Sequence, residues 1–325
     1  MIVVTGGAGF IGSAIVWQLN QRGITDIIIV DHLASSEKWK NLVGLTYDNY
    51  YDRLDFITRL EQGLFGTAIR AIIHLGACSA TTESNSDYLM ENNFRYTQRL
   101  GAWWEKNQAV RFIYASSAAT YGDGAQGYVD DESALQDLRP LNMYGYSKHM
   151  FDLYARSHGW LSRIVGLKFF NVYGPNEYHK EDMRSVMNKA FARVRDEGVM
   201  ALFKSYNPQY RDGEQRRDFI YIKDAVTMAL FFLDNPAIGG IFNIGTGTAR
   251  SWNDVAHALF AALQKKGRID YIPMPESIRD KYQYLTQAQT DKLKQAGCTH
   301  APRSLEDAIA DYAGNYLSAG RHLAW

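Results

Sequence analysis

The sequence is short of the features that usually classify a chain at sight. Only two of its 325 residues are cysteine, Cys78 and Cys298, far apart and in neither a CxxC pair nor a regular spacing. That excludes a disulfide-stapled scaffold and fits reduced thiols in a cytosolic protein. Charge of one sign is missing as well: 35 Lys and Arg stand against 35 Asp and Glu, so the total advertises neither nucleic acid nor an acidic membrane as a partner. Long apolar runs are absent. The longest, Ala225 to Leu233, is about half a membrane span, and the opening Met1-Ile2-Val3-Val4-Thr5-Gly6 lacks the basic start and apolar length of a signal peptide. A soluble, cytoplasmic protein without membrane contact is the expectation. The eight histidines form no HExxH or other paired-ligand spacing, so no metal site is expected, and no fixed-period repeat or low-complexity tract is present.

What is there, 46% hydrophobic residues over this length, suffices for one large domain or two closely joined ones. The first half alternates short β-branched runs with amphipathic stretches. Ile2 to Thr5, Ile27 to Val30, Ala71 to Leu75, Arg111 to Ala115 and Ile164 to Phe169 read as strands. Ile11, Ile15, Val16 and Leu19 recur at helical spacing before Gly23, and Asp87 to Lys106 reads as a longer helix. This order predicts an α/β fold, a Rossmann-type doubly wound parallel sheet with a smaller, mixed α/β substrate domain. After Asn171 the turns Gly174-Pro175, Asn207-Pro208 and Pro273-Met274-Pro275 interrupt the pattern, while Phe219 to Ile222 and Ile241 to Ile244 look like a return to the sheet. The expected division is therefore interleaved: 1–170 plus about 218–247 for the dinucleotide-binding part, about 171–217 and 248–325 for the substrate part.

The first strand runs into Gly6-Gly7-Ala8-Gly9-Phe10-Ile11-Gly12. Gly6 permits the tight turn, Gly9 a close approach to a pyrophosphate and Gly12 close helix-to-strand packing, while the helix start attracts the anion. A lone glycine pattern is weak evidence. Placed after a strand, before an amphipathic helix and upstream of Asp31 at the end of the next strand, it is a strong one. Asp31 suits the ribose hydroxyls of NAD and repels a 2′-phosphate; His32, Lys38, Lys40 and Arg53 counter that repulsion, so the residues alone leave NAD and NADP both open.

Further on, Tyr144-Gly145-Tyr146-Ser147-Lys148 puts a phenol and an ammonium on one helical face. A tyrosine is a poor base at neutral pH, but a neighbouring Lys⁺ and an oxidised nicotinamide favour the phenolate, letting Tyr144 take the proton of a substrate hydroxyl. Ser117, at the end of the strand through Tyr114-Ala115-Ser116-Ser117, adds a hydrogen bond to the same oxygen.

Glycine loop, strand-end serine and YxxxK together resemble the extended short-chain dehydrogenase/reductase family. Tyr121-Gly122, Phe170-Asn171-Val172-Tyr173-Gly174-Pro175 and the run Arg217 to Asp224 are similar to its nucleotide-sugar branch. Ala118 and Ala119 stand where dehydratases of that branch carry an acidic pair, so epimerisation or simple reduction is implied and elimination is not. His179-Lys180, Tyr271-Ile272-Pro273, Tyr282-Gln283 and Thr286-Gln287-Ala288 narrow the resemblance to epimerases of ADP-heptoses, from Met1 to about Tyr316.

The resemblance implies inversion at C6 of ADP-D-glycero-D-manno-heptose to the L-glycero form for lipopolysaccharide core, by transient oxidation and re-reduction with tightly bound NADP. Tyr144 and Lys180 would be the two acid/base groups, with Lys148 and Ser117 assisting; read without the resemblance, Lys180 is a solvated loop residue. Cofactor contacts are carried over to Gly6, Gly9, Phe10, Ile11, Gly12, Asp31, His32, Lys38, Arg53, Leu75, Gly76, Ala77, Cys78, Ser79, Asn92, Lys148 and Val172. Substrate contacts are carried over to Ser117, Asn171, Asp182, Lys189, Phe203, Arg217 and Tyr282. Arg217 suits a diphosphate as a fork, with a local ion pair to Asp218 as the competing reading. Leu75, Asp182, Lys189 and the stretch Ser205 to Gln215 depart from the family pattern. The implied partners are an ADP-sugar and further copies of the chain, pentamers among relatives. Two alternatives are another nucleotide-sugar epimerase or reductase, such as a UDP-hexose 4-epimerase, and a non-catalytic dinucleotide-binding regulator.

Overall fold

The computed structural model describes residues 1–279 and 282–325. Its strands are β1 (Ile2–Thr5), β2 (Ile27–Asp31), β3 (Asn49–Asp52), β4 (Ala71–His74), β5 (Arg111–Ser117), β6 (Val165–Phe169), β7 (Asn171–Tyr173), β8 (Val199–Phe203), β9 (Arg216–Tyr221), β10 (Gly240–Ile244), β11 (Ala249–Ser251) and β12 (Arg268–Ile272). Seven of them form one sheet in the order β10-β6-β5-β4-β1-β2-β3, every pair parallel. Every residue of β1, β2, β4 and β6 is buried, as strands covered on both faces must be.

The two faces are sealed by alternate residues of the same strands. Ile2, Val4, Ile29 and Ile73 join one core with Ile15 and Leu19 of the helix Phe10–Gln21 and Val226 and Leu230 of the helix Ile222–Asp234. Val3, Ile28, Ile72 and Phe112 join a second core with Phe56, Leu100, Trp104 and Phe151. Each such side chain stabilises the fold by about 1.5–3 kcal/mol relative to exposure. Trp104 is spent entirely on this packing, its indole N–H donating to the Val110 carbonyl at 2.8 Å.

Two sequence expectations change shape here. The strand foreseen around 219–222 does form, as β9, but it pairs with β7 and β11 in a separate three-stranded sheet; only β10 returns to the large one. Ile222 instead opens a helix. The single helix foreseen over 87–106 is Ser86–Leu89, a widened π-type segment Met90–Arg95, then Tyr96–Glu105. That widening turns Asn93 inward. β8 and β12 make a third, two-stranded parallel sheet. From β1 the chain passes to β2 on one side and later to β4 on the other, so a crevice opens at the carboxyl ends of these strands.

Candidate active site

That crevice is a cleft of about 820 Å³ with an adjoining recess of about 130 Å³. Gly6 sits at its floor with φ +67°, and a Cβ there would lie 2.7 Å from the Gly76 nitrogen; a Cβ on Gly12 would lie 2.0 Å from the Gly6 carbonyl oxygen. Neither position admits a side chain. The helix that follows, Phe10–Gln21, begins at Gly9 with no side-chain cap and no acidic residue in its first turn. Open amide N–H groups and the positive end of the helix dipole thus face the cleft, an arrangement that fits a pyrophosphate.

Asp31 ends β2 beside this turn, only 8% exposed. Its carboxylate accepts from the Ala8 amide (2.9 Å), the His32 amide (2.7 Å) and the Lys38 ammonium (2.7 Å). The recess beyond is lined by Asp31, His32, Lys38, Arg53, Asn92 and Tyr88, among others, and the buried Nε of Arg53 has no hydrogen-bond partner among the described residues. An unpaired guanidinium N–H beside Lys38 is free to donate to an anion.

The opposite wall carries the proton chemistry. Ser117 terminates β5, and its hydroxyl accepts from the Ala119 amide at 3.1 Å. Tyr144 and Lys148 lie one turn apart on the helix Met143–Ser157, which Asn142 starts by accepting from the Gly145 amide. Burial pushes the Tyr144 phenol up, and a hydrogen bond with Ser117 opposes that rise. Burial holds the Lys148 ammonium down to about 8 against Asp152 and Cys78, which favour its charge; the ammonium donates to the Ala115 carbonyl at 2.8 Å. One turn further, fully buried Asp152 accepts from Tyr114 (2.9 Å) and Ser116 (2.7 Å) and pairs with buried Lys168 at 3.3 Å. This network locks β5, β6 and the Tyr144 helix together directly behind Ser117.

Lys180 reaches the same cleft from an irregular segment, Tyr178–Met183, with its ammonium 5.4 Å from the centre of the Phe10 ring. The solvated-loop alternative for it does not describe this position. Burial holds its ammonium down, opposed by Glu177.

Nineteen of the residues singled out from sequence line the cleft: Gly6, Gly9, Phe10, Ile11, Gly12, Asp31, Lys38, Leu75, Gly76, Ala77, Cys78, Ser79, Ser117, Tyr144, Lys148, Asn171, Val172, Lys180 and Asp182. His32, Arg53 and Asn92 line the recess. Four stand elsewhere. Lys189 is exposed and donates to the Asp182 carbonyl at 3.1 Å. Arg217 stacks on Tyr282, 5.0 Å from its centre, and Tyr282 accepts from the indole of cleft-lining Trp252 at 3.0 Å. Phe203 ends β8 nearby, its carbonyl 3.4 Å from the Gln215 amide nitrogen. The alternative of an Arg217–Asp218 pair does not form: Asp218 accepts from the amides of Thr246, Gly247 and Ala288.

Sequence reasoning passed over Asn93 and His74. Asn93 clamps both backbone atoms of Cys78 (2.8 and 3.0 Å) and donates to Ser147. His74, pressed down to about 3 chiefly by burial, bridges Thr5 and Thr97 under the glycine turn. Only the π-type widening brings Asn93 to Cys78, and no local pattern announces it.

A glycine turn at the switch point of a parallel sheet, facing a Ser-Tyr-Lys wall, defines a dinucleotide-dependent enzyme of the short-chain dehydrogenase/reductase type. Residues 2–245 match the model of the NAD dependent epimerase/dehydratase family, and the chain belongs to that family. It is 54% identical over 319 residues to ADP-L-glycero-D-manno-heptose-6-epimerase of Nitratidesulfovibrio vulgaris, covering 98% of each chain. The enzyme of the same name from Fusobacterium nucleatum is 48% identical over 328 residues, again covering 98% of each. The crystal structure of Helicobacter pylori ADP-L-glycero-D-manno-heptose-6-epimerase superimposes with a TM-score of 0.80 at 28% identity, over 98% of this chain and 96% of that one. Among the described residues no helix is long and apolar enough to cross a membrane, and no group of three or more His, Cys, Asp or Glu is placed to hold a metal ion.

Proposed function

We propose that the protein is an ADP-heptose 6-epimerase, interconverting ADP-D-glycero-D-manno-heptose and its L-glycero epimer for lipopolysaccharide core. The observation that carries this reading is that Tyr144 and Lys180, from unrelated segments, line one cleft beside the glycine turn. Bound along that turn, a nicotinamide supplies a reversible two-electron acceptor, which an alcohol carbon without a neighbouring carbonyl needs for inversion. The chain's residues handle the rest. The Tyr144 phenolate takes the proton from the C6 hydroxyl, and the resulting phenol returns it on re-reduction, when that oxygen faces the serine wall, with Ser117 donating to it. Lys148 holds positive charge on the same wall and favours the phenolate. Lys180, whose ammonium is weakened by burial, serves the second orientation of the same oxygen.

NADP is the proposed cofactor. Asp31 is already engaged by two amides and by Lys38, which blunts its repulsion of a 2′-phosphate, and the Arg53 Nε and Lys38 hold the recess for that phosphate. The unpaired Cys78 and Cys298 fit a reducing compartment, the cytoplasm. Homo-oligomeric assembly rests on the resemblance alone, and sedimentation velocity reads it.

The reading is tested by incubating the purified protein with ADP-D-glycero-D-manno-heptose and following the C6 proton by NMR. Unchanged configuration overturns it. The mass of the dinucleotide released on denaturation decides between NADP and NAD.

A further inference from the structure

Lys180 sits on two short 3₁₀ turns, Tyr178–Met183, broken at Glu181. Asn176 and Glu181, on either side of Lys180, have φ of +79° and +47°; asparagine tolerates such a value, whereas a glutamate adopts it only where its surroundings enforce it. One buried side chain from another part of the chain bonds the backbone of the first of them. Asn41 is 1% exposed, at the end of the short helix Glu37–Leu42 that also carries Lys38. Its amide nitrogen donates to the Ala8 carbonyl of the glycine turn at 2.9 Å and to the Asn176 carbonyl at 3.1 Å, and lies 3.2 Å from the His179 Nδ1. Two carbonyls use both of its protons and fix which way the amide points. Its oxygen therefore faces His322, whose Nδ1 must be the protonated nitrogen to donate at 2.7 Å. Asn176 is fastened in turn, donating to Ser13 of the first helix at 2.9 Å and accepting from the Leu323 amide at 2.9 Å.

We propose that Asn41 is a positioning residue that couples the cofactor turn to Lys180: it ties the backbone of Ala8 and of Asn176 to each other and so sets where the Lys180 ammonium stands over Phe10. The assignment rests on Lys180 acting as acid or base in the reaction proposed above. Asn41 touches neither substrate nor the reacting atoms. Removing its amide frees two buried carbonyls and the strained turn between Pro175 and Glu181, and a displacement of about 1 Å at an acid/base group lowers turnover by on the order of 100-fold.

The test is a double-mutant cycle on the cofactor-loaded protein with Asn41→Ala and Lys180→Met. Asn41→Ala should lower kcat by about 30-fold with KM within about threefold, and change kcat by less than about threefold when Lys180 is already Met. Effects that multiply in the double variant overturn the proposal. A second arm does not depend on substrate: reductive methylation of lysines, read by peptide mass spectrometry, should show Lys180 about tenfold more reactive in Asn41→Ala, with Lys148 unchanged, because the segment that half-buries Lys180 has been released. Unchanged Lys180 reactivity also overturns it. A wild-type protein inactive on ADP-heptose would remove the functional reading, while the labelling arm would still decide the role of Asn41. Should Asn41→Ala not fold, His322→Ala, which removes one donor from the same amide, carries both arms with smaller shifts of the same sign.

Discussion

The two sides of the cleft are built by different means. The wall of Ser117, Tyr144 and Lys148 stands on a strand and a helix whose backs are buried, fixed by the Asp152–Lys168 pair and its hydroxyl partners. The side of Lys180 is backed by buried polar side chains in place of a strand and a helix. It is a broken pair of 3₁₀ turns entered at Asn176, which accepts from Asn41 and from the Leu323 amide and donates to Ser13, with Glu177 beneath it accepting from Ser185 and Tyr312. A wall resting on a core is rigid; a wall hung on a few buried side-chain amides has few points of failure, each of which moves the side chain it places. Damage to the first should show in unfolding as well as in turnover, and removal of the Lys180 ammonium from the second almost only in turnover.

The largest effect expected on this comparison is from Tyr144→Phe, which removes the phenolic proton without disturbing packing. Turnover should fall by about 10³-fold or more while the dinucleotide stays bound, as measured by NMR and by the mass of released cofactor. Retained turnover would remove Tyr144 from the chemistry. Asp152→Ala comes next: it leaves the fully buried Lys168 unpaired and should cost about 3–5 kcal/mol in chemical denaturation, so a loss below about 1 kcal/mol would show that the serine wall is not braced as described. Lys180→Met should lower turnover by about 100-fold yet shift the unfolding free energy by less than about 1 kcal/mol. A large stability loss there would erase the contrast between the two sides.

The smallest effect is in pH dependence. Burial places the Lys148 ammonium at about 8 in the folded protein against 10.5 as its ordinary value. The charged form is the one that favours the phenolate, so kcat/KM should fall as pH rises through about 8, and Lys148→Arg, which cannot lose its proton there, should lack that limb. Stability runs the other way. The folded chain binds this proton less tightly than the unfolded chain, so the Lys148 contribution to unfolding free energy increases between about pH 8 and 10.5. Activity and stability that fell together above pH 8 would place the limb on another group.

How much of this was legible beforehand follows the same division. The glycine turn, Asp31, Ser117 and the Tyr144–Lys148 pair could be read from spacing, because strands and helices convert sequence distance into direction at fixed periods. Lys180 could be picked only through resemblance, since a run of His179-Lys180-Glu181-Asp182 has no period and its local chemistry says surface. Arg217 and Tyr282 were picked the same way, and the structure stacks them on each other beyond Trp252, outside the cleft lining. The strand at 219–221 was read correctly as a strand and assigned to the wrong sheet, because β-branched patterning reports burial and not the identity of the neighbour.

By itself, then, the sequence determined the elements with a strict period: a parallel sheet buried on both faces, a turn that only glycine can make, and a phenol one helical turn from an ammonium. The tertiary structure decided everything that depends on contacts between residues far apart in the chain. It turned Asn93 onto Cys78, left an Arg53 nitrogen unpaired in the recess, drew Lys180 over Phe10 and tied Ala8 to Asn176 through Asn41. The physical reason is that periodicity is a property of neighbouring residues, whereas a buried hydrogen bond is set by which distant groups the packed core brings within about 3 Å of each other.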